Sequence, residues 1–334
     1  MNLFLRLLAL SLATGLGLSA ALPRVPLPGN GGWDYLTADA AARRLYVTHQ
    51  DRVHVLDLDT LALLGEIGAG AGVHGVALAP ELGRGFVSNG LDATITVFDL
   101  ATRAILGRWP TGGRKPDAIL YDAASRRLFS FNGETDNATA FDAATGRIVG
   151  TVALGGAPEF AVTDEAGGIY VNIEDRGETL RFDARTLAVT ARWPLAPAHT
   201  PTGLALDREH HRLFVGCRSQ QLVVLQADTG AVIASLPIGR GVDAVSYDSS
   251  RNQVWVSNAD GTLNAFHQAG PDRYEPLRTV ATASGARTHA LDAKTGRIFL
   301  ATAEYLPTPP AAPGQPRVRP AIKPGTFGVL IVQP

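Results

Sequence analysis

Cysteine is almost absent. Cys217 is the only one, so the chain can hold no internal disulfide, and an oxidising compartment is allowed without being demanded. Neither sign of charge is in surplus: 30 Lys plus Arg face 31 Asp plus Glu, and a net charge of -1 exerts no general pull toward nucleic acid or an anionic membrane. After residue 21 no apolar run is long enough to span a bilayer, and no long amphipathic helical pattern occurs, which excludes a TIM barrel. G-x-S-x-G, a phosphate-binding loop, a dinucleotide fingerprint, H-E-x-x-H and D-x-[DN]-x-[DN]-G are all missing, so nucleophilic catalysis and short-range metal sites have no motif behind them. What is present is 46% hydrophobic residues, enough for a large core, with 36 glycines and 21 prolines to punctuate many turns.

The stretch from Gly83 to Gly107, GRGFVSNGLDATITVFDLATRAILG, has relatives along nearly the whole chain. It reads as a three-strand meander: Gly85 to Ser88, a turn at Asn89-Gly90, the β-branched and aromatic run Thr94 to Phe98, a turn at Asp99 to Arg103, and a return at Ala104 to Trp109. The turns that precede each copy start at Asp39, Pro80, Asp122, Asp164, Asp207, Asp248 and Asp292, a period of 41 to 44 residues. A further short apolar strand lies before each of these markers. Four strands per repeat of this length predict an all-β, seven-bladed propeller with four-stranded blades, whose strands are called a to d from the axis outward.

The seventh copy lacks a strand d of its own. Arg24 to Gly32, RVPLPGNGG, reads like the outer strand and exit ASLPIGRG of blade 5, so Arg24 to Leu27 is predicted to complete blade 7 and close the ring. Upstream, Arg6, the apolar segment Leu7 to Leu18 and the small residues Ser19-Ala20-Ala21 have the form of a cleaved signal peptide over residues 1–21. The expectation is a periplasmic or secreted monomer whose residues 22–334 form a single domain.

LYVTHQDRVHVLDLDT, GFVSNGLDATITVFDLAT and LFSFNGETDNATAFDAATG resemble the repeats of YVTN-type β-propellers, in particular exported YncE-like proteins. VHGVALAP, PDAILYD, PEFAVTD, PTGLALD and VDAVSYD are similar to that family's blade-specific inner strands. The resemblance covers nearly all of residues 22–334 and implies the fold and export. It implies no activity, because the repeat is a scaffold signature.

Many carboxylates have a structural assignment from position alone. Asp57, Asp99, Asp142 and Asp183 end strand c before a short turn, and Asp39, Asp122, Asp207, Asp248 and Asp292 lead the a-to-b turns, where their oxygens are placed to accept from turn amides. Because neighbouring strands are antiparallel, the starts of strand a and the ends of strand b meet on the opposite face, around the channel mouth. Strand a brings Asp34, His74, Asp117, Glu159, Thr202, Asp243, Arg287 and His289 there, and strand b brings His49, Asn89, Asn132, Glu174, Arg218, Asn258 and Glu304. Positions equivalent by repeat yet different in chemistry are the candidates for a ligand-binding ring, although polar groups at such places also satisfy backbone between blades.

His74, Asp117, Glu159, Asp243 and His289 are metal-compatible types from different blades, so a divalent cation in the channel is a possible cofactor, although none is firmly implied. Cys217 beside His199 would make a thiol–imidazole pair, against the commoner case of an inert buried thiol. Leu306 to Gly325, with seven prolines, replaces a short b-to-c turn in blade 7 and carries Arg317, Arg319 and Lys323 toward the mouth as a lid. The functional expectation is a non-enzymatic propeller binding a small molecule or protein partner over the channel face. A metal-assisted hydrolase or lactonase, and a structural envelope protein using its rim, remain the alternatives.

Overall fold

Alternation along strands a to c sends successive side chains to opposite sides, and in a propeller both sides are covered by neighbouring blades. Arg84–Asn89 pairs with Thr94–Asp99 from Arg84↔Asp99 to Asn89↔Thr94, and all but the first residue of Arg84–Asn89 are buried. Phe86 enters a cluster with Leu128 and Phe141 of the following blade, whereas Val87 enters one with Tyr46 and Val55 of the preceding blade. The same division repeats around the molecule, so the core is a circle of interfaces between blades.

The computed structural model describes residues 22–307 and 320–334. It has seven four-stranded antiparallel sheets in which sequence order is spatial order, except in the last. There His289–Leu291, Ile298–Thr302 and Gly328–Val332 are completed by Arg24–Pro26, which pairs with Gly328–Val332 from Arg24↔Leu330 to Pro26↔Gly328. Two 3-10 turns, Pro80–Leu82 and Glu174–Arg176, are the helical elements among the described residues, and no described helix is long and apolar enough to cross a membrane. The proposed signal peptide lies outside the described residues.

Turn chemistry repeats with the strands. The Oδ1 atoms of Asp57, Asp99 and Asp142 each accept from two turn amides and a Thr hydroxyl, as in Asp99 with Ala101 N, Thr102 N and Thr102 Oγ1 at 2.7–3.1 Å. Four residues after each Asp the backbone turns left-handed, at Arg103 with φ 67° and Gly146 with φ 77°. Gly146 is required twice over, because a Cβ there would also collide with the Trp109 indole of the preceding blade. Arginines at the start of strand b latch consecutive blades: Arg44 donates to Leu100 O, Arg84 to Ala144 O, Arg127 to Ala184 O and Arg297 to Leu58 O. The seam between blades 7 and 1 also holds Arg43, both terminal nitrogens of which donate to Asp292 at 2.8 Å.

Candidate functional site

In blades 1 to 6 the inner strand breaks register near its start, for example between Trp33 and Leu36, Pro116 and Ile119, and Pro158 and Ala161. Such a bulge turns side chains that would otherwise face a neighbouring blade. It brings the first inner-strand residues of successive blades into one circuit at the mouth. His74 Nδ1 lies 2.5 Å from Asp34 Oδ2 and 3.5 Å from Asp117 Oδ1, joining blades 1, 2 and 3. Across the ring, Arg218 Nη1 reaches Glu174 at 2.7 Å and Nη2 reaches Asp243 at 3.4 Å, while Arg287 Nε donates to Asp243 at 2.6 Å, joining blades 4 to 7. The circuit alternates in sign except at blades 3 and 4, where Asp117 and Glu159 interact without a cation between them.

The electrostatics follow that arrangement. Burial pushes the Asp34 carboxyl up to about 6 against the hydrogen bond from His74, and burial also raises Asp117, against the opposing fields of His74 and Lys115. Glu159 is pushed well above the carboxylate range by burial and by the charges of Asp117, Asp243 and Glu174. His74 moves up: burial works against its charge, but the Asp34 hydrogen bond and the field of Asp117 outweigh it.

Beneath the circuit lies a pair of aromatic residues that position alone does not flag. Tyr35 of blade 1 and Phe160 of blade 4 meet edge to face with ring centroids 5.3 Å apart, although their blades are not neighbours, so the contact crosses the axis. Residues at the same step of the other inner strands are Gly75, Ala118, Gly203, Ala244 and Thr288. This contrast of two large side chains against five small ones was the available signal. Together the two rings floor the mouth.

Beside the floor opens a recess of about 570 Å³, lined by Trp33, Tyr305, Arg218, Arg287 and the base of the Pro-rich segment at Pro320 and Ile322. Trp33 and Tyr305 are further residues that the strand-start and strand-end rule did not select. Among the described residues, Arg287 engages protein only through Nε, which leaves its terminal nitrogens to face solvent.

Several candidates are placed away from the circuit. Asn89, Asn132 and Asn258 are fully buried and spend their amides on nearby groups, as in Asn89 Nδ2 to Thr94 and Thr96 and Asn132 Nδ2 to Asn137 and Thr139. Thr202 donates to Val242 O of the next blade at 2.9 Å. His49 is buried and stacked on Phe327 with centroids 4.1 Å apart, and burial next to His54 lowers its pKa to about 4. His289 is held between Ser246 and Ser257, each hydroxyl 2.8 Å from a ring nitrogen. Since the Ser257 hydroxyl gives its proton to Arg287 O, it must accept from Nδ1–H, and Nε2 then accepts from Ser246. The imidazole is thus a neutral clamp between blades 6 and 7, and burial lowers its pKa to about 3.

Glu304 pairs with Lys323 at 2.8 Å and with Arg24 at 3.7 Å at the root of the Pro-rich segment. Arg317 and Arg319 lie outside the described residues. Cys217 is fully buried and burial pushes its thiol up to about 12, while His199 is exposed and contacts Thr200, so no reactive pair forms.

Comparison with known proteins bears on the fold and the repeats. Residues 91–254 match the PQQ_2 family model, described as outer membrane protein assembly factor BamB. No curated protein sequence matches. A chain in the solved structure titled "Crystal Structure of Mitotic Checkpoint Complex" superposes with a TM-score of 0.74 at 14% identity, covering 91% of this chain and 95% of that one. Identity that low carries the fold alone. Seven four-stranded sheets around an axis make this chain a seven-bladed β-propeller, and its middle blades are similar to the BamB-type repeat model.

Proposed function

We propose that this propeller is exported and non-enzymatic, and that it binds a small molecule with an anionic group and a flat apolar body in the recess at its channel mouth. The observation that carries this reading is the recess itself. At about 570 Å³ it has the size of a small-ligand site, with Trp33 and Tyr305 offering aromatic faces and Arg218 and Arg287 offering guanidinium groups to an anion. The Leu7 to Leu18 segment supports export, and the resemblance to YVTN-type repeats supports a place among the YncE-like proteins.

Native mass spectrometry of the full chain with benzoate, phenyl phosphate and the neutral benzamide tests the proposal. The two anions should add in a 1:1 ratio and benzamide should not. Arg218→Ala/Arg287→Ala, checked for folding by circular dichroism, should lose both adducts. Equal binding of benzamide, or adducts retained in the double variant, would overturn it. A second reading, a docking face for a protein partner, draws on the matching family's description as an assembly factor. It would replace the first if neither anion adds and the wild-type mouth pulls down a partner that the double variant does not.

A further inference from the structure

We infer that Asp34, His74 and Asp117 form a binding site for a borderline divalent cation of the zinc class. Each offers one ligand atom, and the three atoms lie within 4.8 Å of one another. They come from inner strands of three consecutive blades, so their spacing is set by the packed ring rather than by a loop. The His74 Nδ1 atom faces both carboxylates, at 2.5 and 3.5 Å, and so marks the point on which all three donors converge. In the metal-free chain a proton on Nδ1 holds that point, and a cation would displace it.

Surrounding charge favours a cation. Asp34, Asp117, Glu159, Glu174 and Asp243 outnumber His74, Arg218 and Arg287 in the circuit, and Lys115 adds one positive field that reaches Asp117 and His74. Tyr35, next to Asp34 in the chain and 8% exposed, sits in the same combined field of Asp117, Glu159, Asp34 and Asp243, so the negative charge that favours a cation extends beneath the trio.

The donor set decides the class of ion. Two carboxylate oxygens with one imidazole nitrogen suit zinc-like ions, whereas calcium and magnesium prefer oxygen alone. Three protein ligands leave a fourth position open to solvent or to a ligand atom. The inference stands whether or not the neighbouring recess binds an anion.

The test is Zn²⁺ titration of chelator-stripped full chain by isothermal calorimetry near pH 7.5, with Co²⁺ absorption as a second readout. The expected result is one Zn²⁺ per chain, bound more tightly than Ca²⁺, with visible Co²⁺ bands typical of low coordination number. Asp34→Asn and His74→Gln should each weaken Zn²⁺ by about 100-fold or more, whereas Asp142→Asn on the far face should not change it. Absence of 1:1 binding, tighter Ca²⁺ than Zn²⁺, or unchanged affinity in folded His74→Gln would overturn the inference. If the variants fail to fold, the wild-type chain decides alone: Co²⁺ bands that Zn²⁺ displaces support it, and their absence overturns it.

Discussion

Asp142 and Asp117 are the same residue type, 25 positions apart on one blade, and their surroundings move their carboxyls in opposite directions. Asp142 ends strand c on the face away from the mouth, where the Thr145 hydroxyl and amide and the Ala144 amide hold it below the usual carboxylate range. Asp57, Asp99 and Asp183 repeat that solution, and their partners come from their own turn. Asp117 starts an inner strand at the mouth, where burial raises it and, apart from nearby Lys115, the charges acting on it come from other blades. One face is therefore organised by local sequence and is alike in blades 1 to 4. The other depends on which blades meet, and it is the face where charge accumulates.

The largest expected break in this contrast is Asp292→Ala. Its carboxylate is fully buried, caps its own turn and takes a bidentate pair from Arg43, so its loss should cost about 3 kcal/mol in chemical denaturation. Partners at Arg43, Thr295 and Lys294 hold its pKa, against burial, at about 2 from an ordinary 3.8. Because that pKa is depressed on folding, the stabilisation is complete above 3.8 and is lost as pH falls toward 2. A variant as stable as wild type at pH 7 would show that this face is not held by its carboxylates.

An effect of similar size, read through pH, comes from the buried His289. Its pKa, about 3 folded against 6.5 unfolded, means the unfolded chain binds the extra proton between those values. Stability conferred by the neutral ring is present above 6.5 and falls by about 1.4 kcal/mol per pH unit on acidification toward 3. Denaturation of wild type and His289→Gln between pH 7 and 4 isolates this, since other titrating groups cancel in the difference. Parallel pH profiles would mean that the ring is not a buried neutral clamp and would return His289 to the mouth.

The smallest effect compares the two faces directly. Asp142→Asn should lower stability by about 1 kcal/mol through weakened turn bonds, whereas Asp117→Asn should leave stability unchanged or raise it by relieving repulsion with Glu159 and Asp243. The reverse order in thermal melts would dissolve the distinction.

The propeller was legible because its determinants are local and repeated. The Asp-led turns and the apolar alternation in Thr94–Asp99 are visible in any one copy, and six further copies corroborate them. Half of the mouth was legible too, since strand direction alone places Asp34, His74, Asp117 and Asp243 together. Of the strand-b residues Glu174 and Arg218 do join the circuit, whereas Asn89, Asn132 and Asn258 face neighbouring strands within their own blade, where a Thr two residues into strand c or at its start accepts their amides. Nothing in strand direction distinguishes a side chain turned outward by the inner-strand bulge from one turned inward beside it. Tyr35 and Phe160 escaped because their contact is between blades 1 and 4, a separation no repeat alignment encodes, and only the size contrast at that step hinted at it.

Arg24–Pro26 completes a sheet whose other three strands end with Gly328–Val332, so the earliest described strand waits for the last. During synthesis six blades can assemble in order by near-neighbour pairing, but this strand has no partner until Gly328–Val332 is made. Closure is thus the step of greatest sequence separation and of greatest loop-closure entropy. Until it occurs, the nascent propeller is an open arc with two adhesive edges, and the interval before it is when the chain is most exposed to pairing with a second copy of itself.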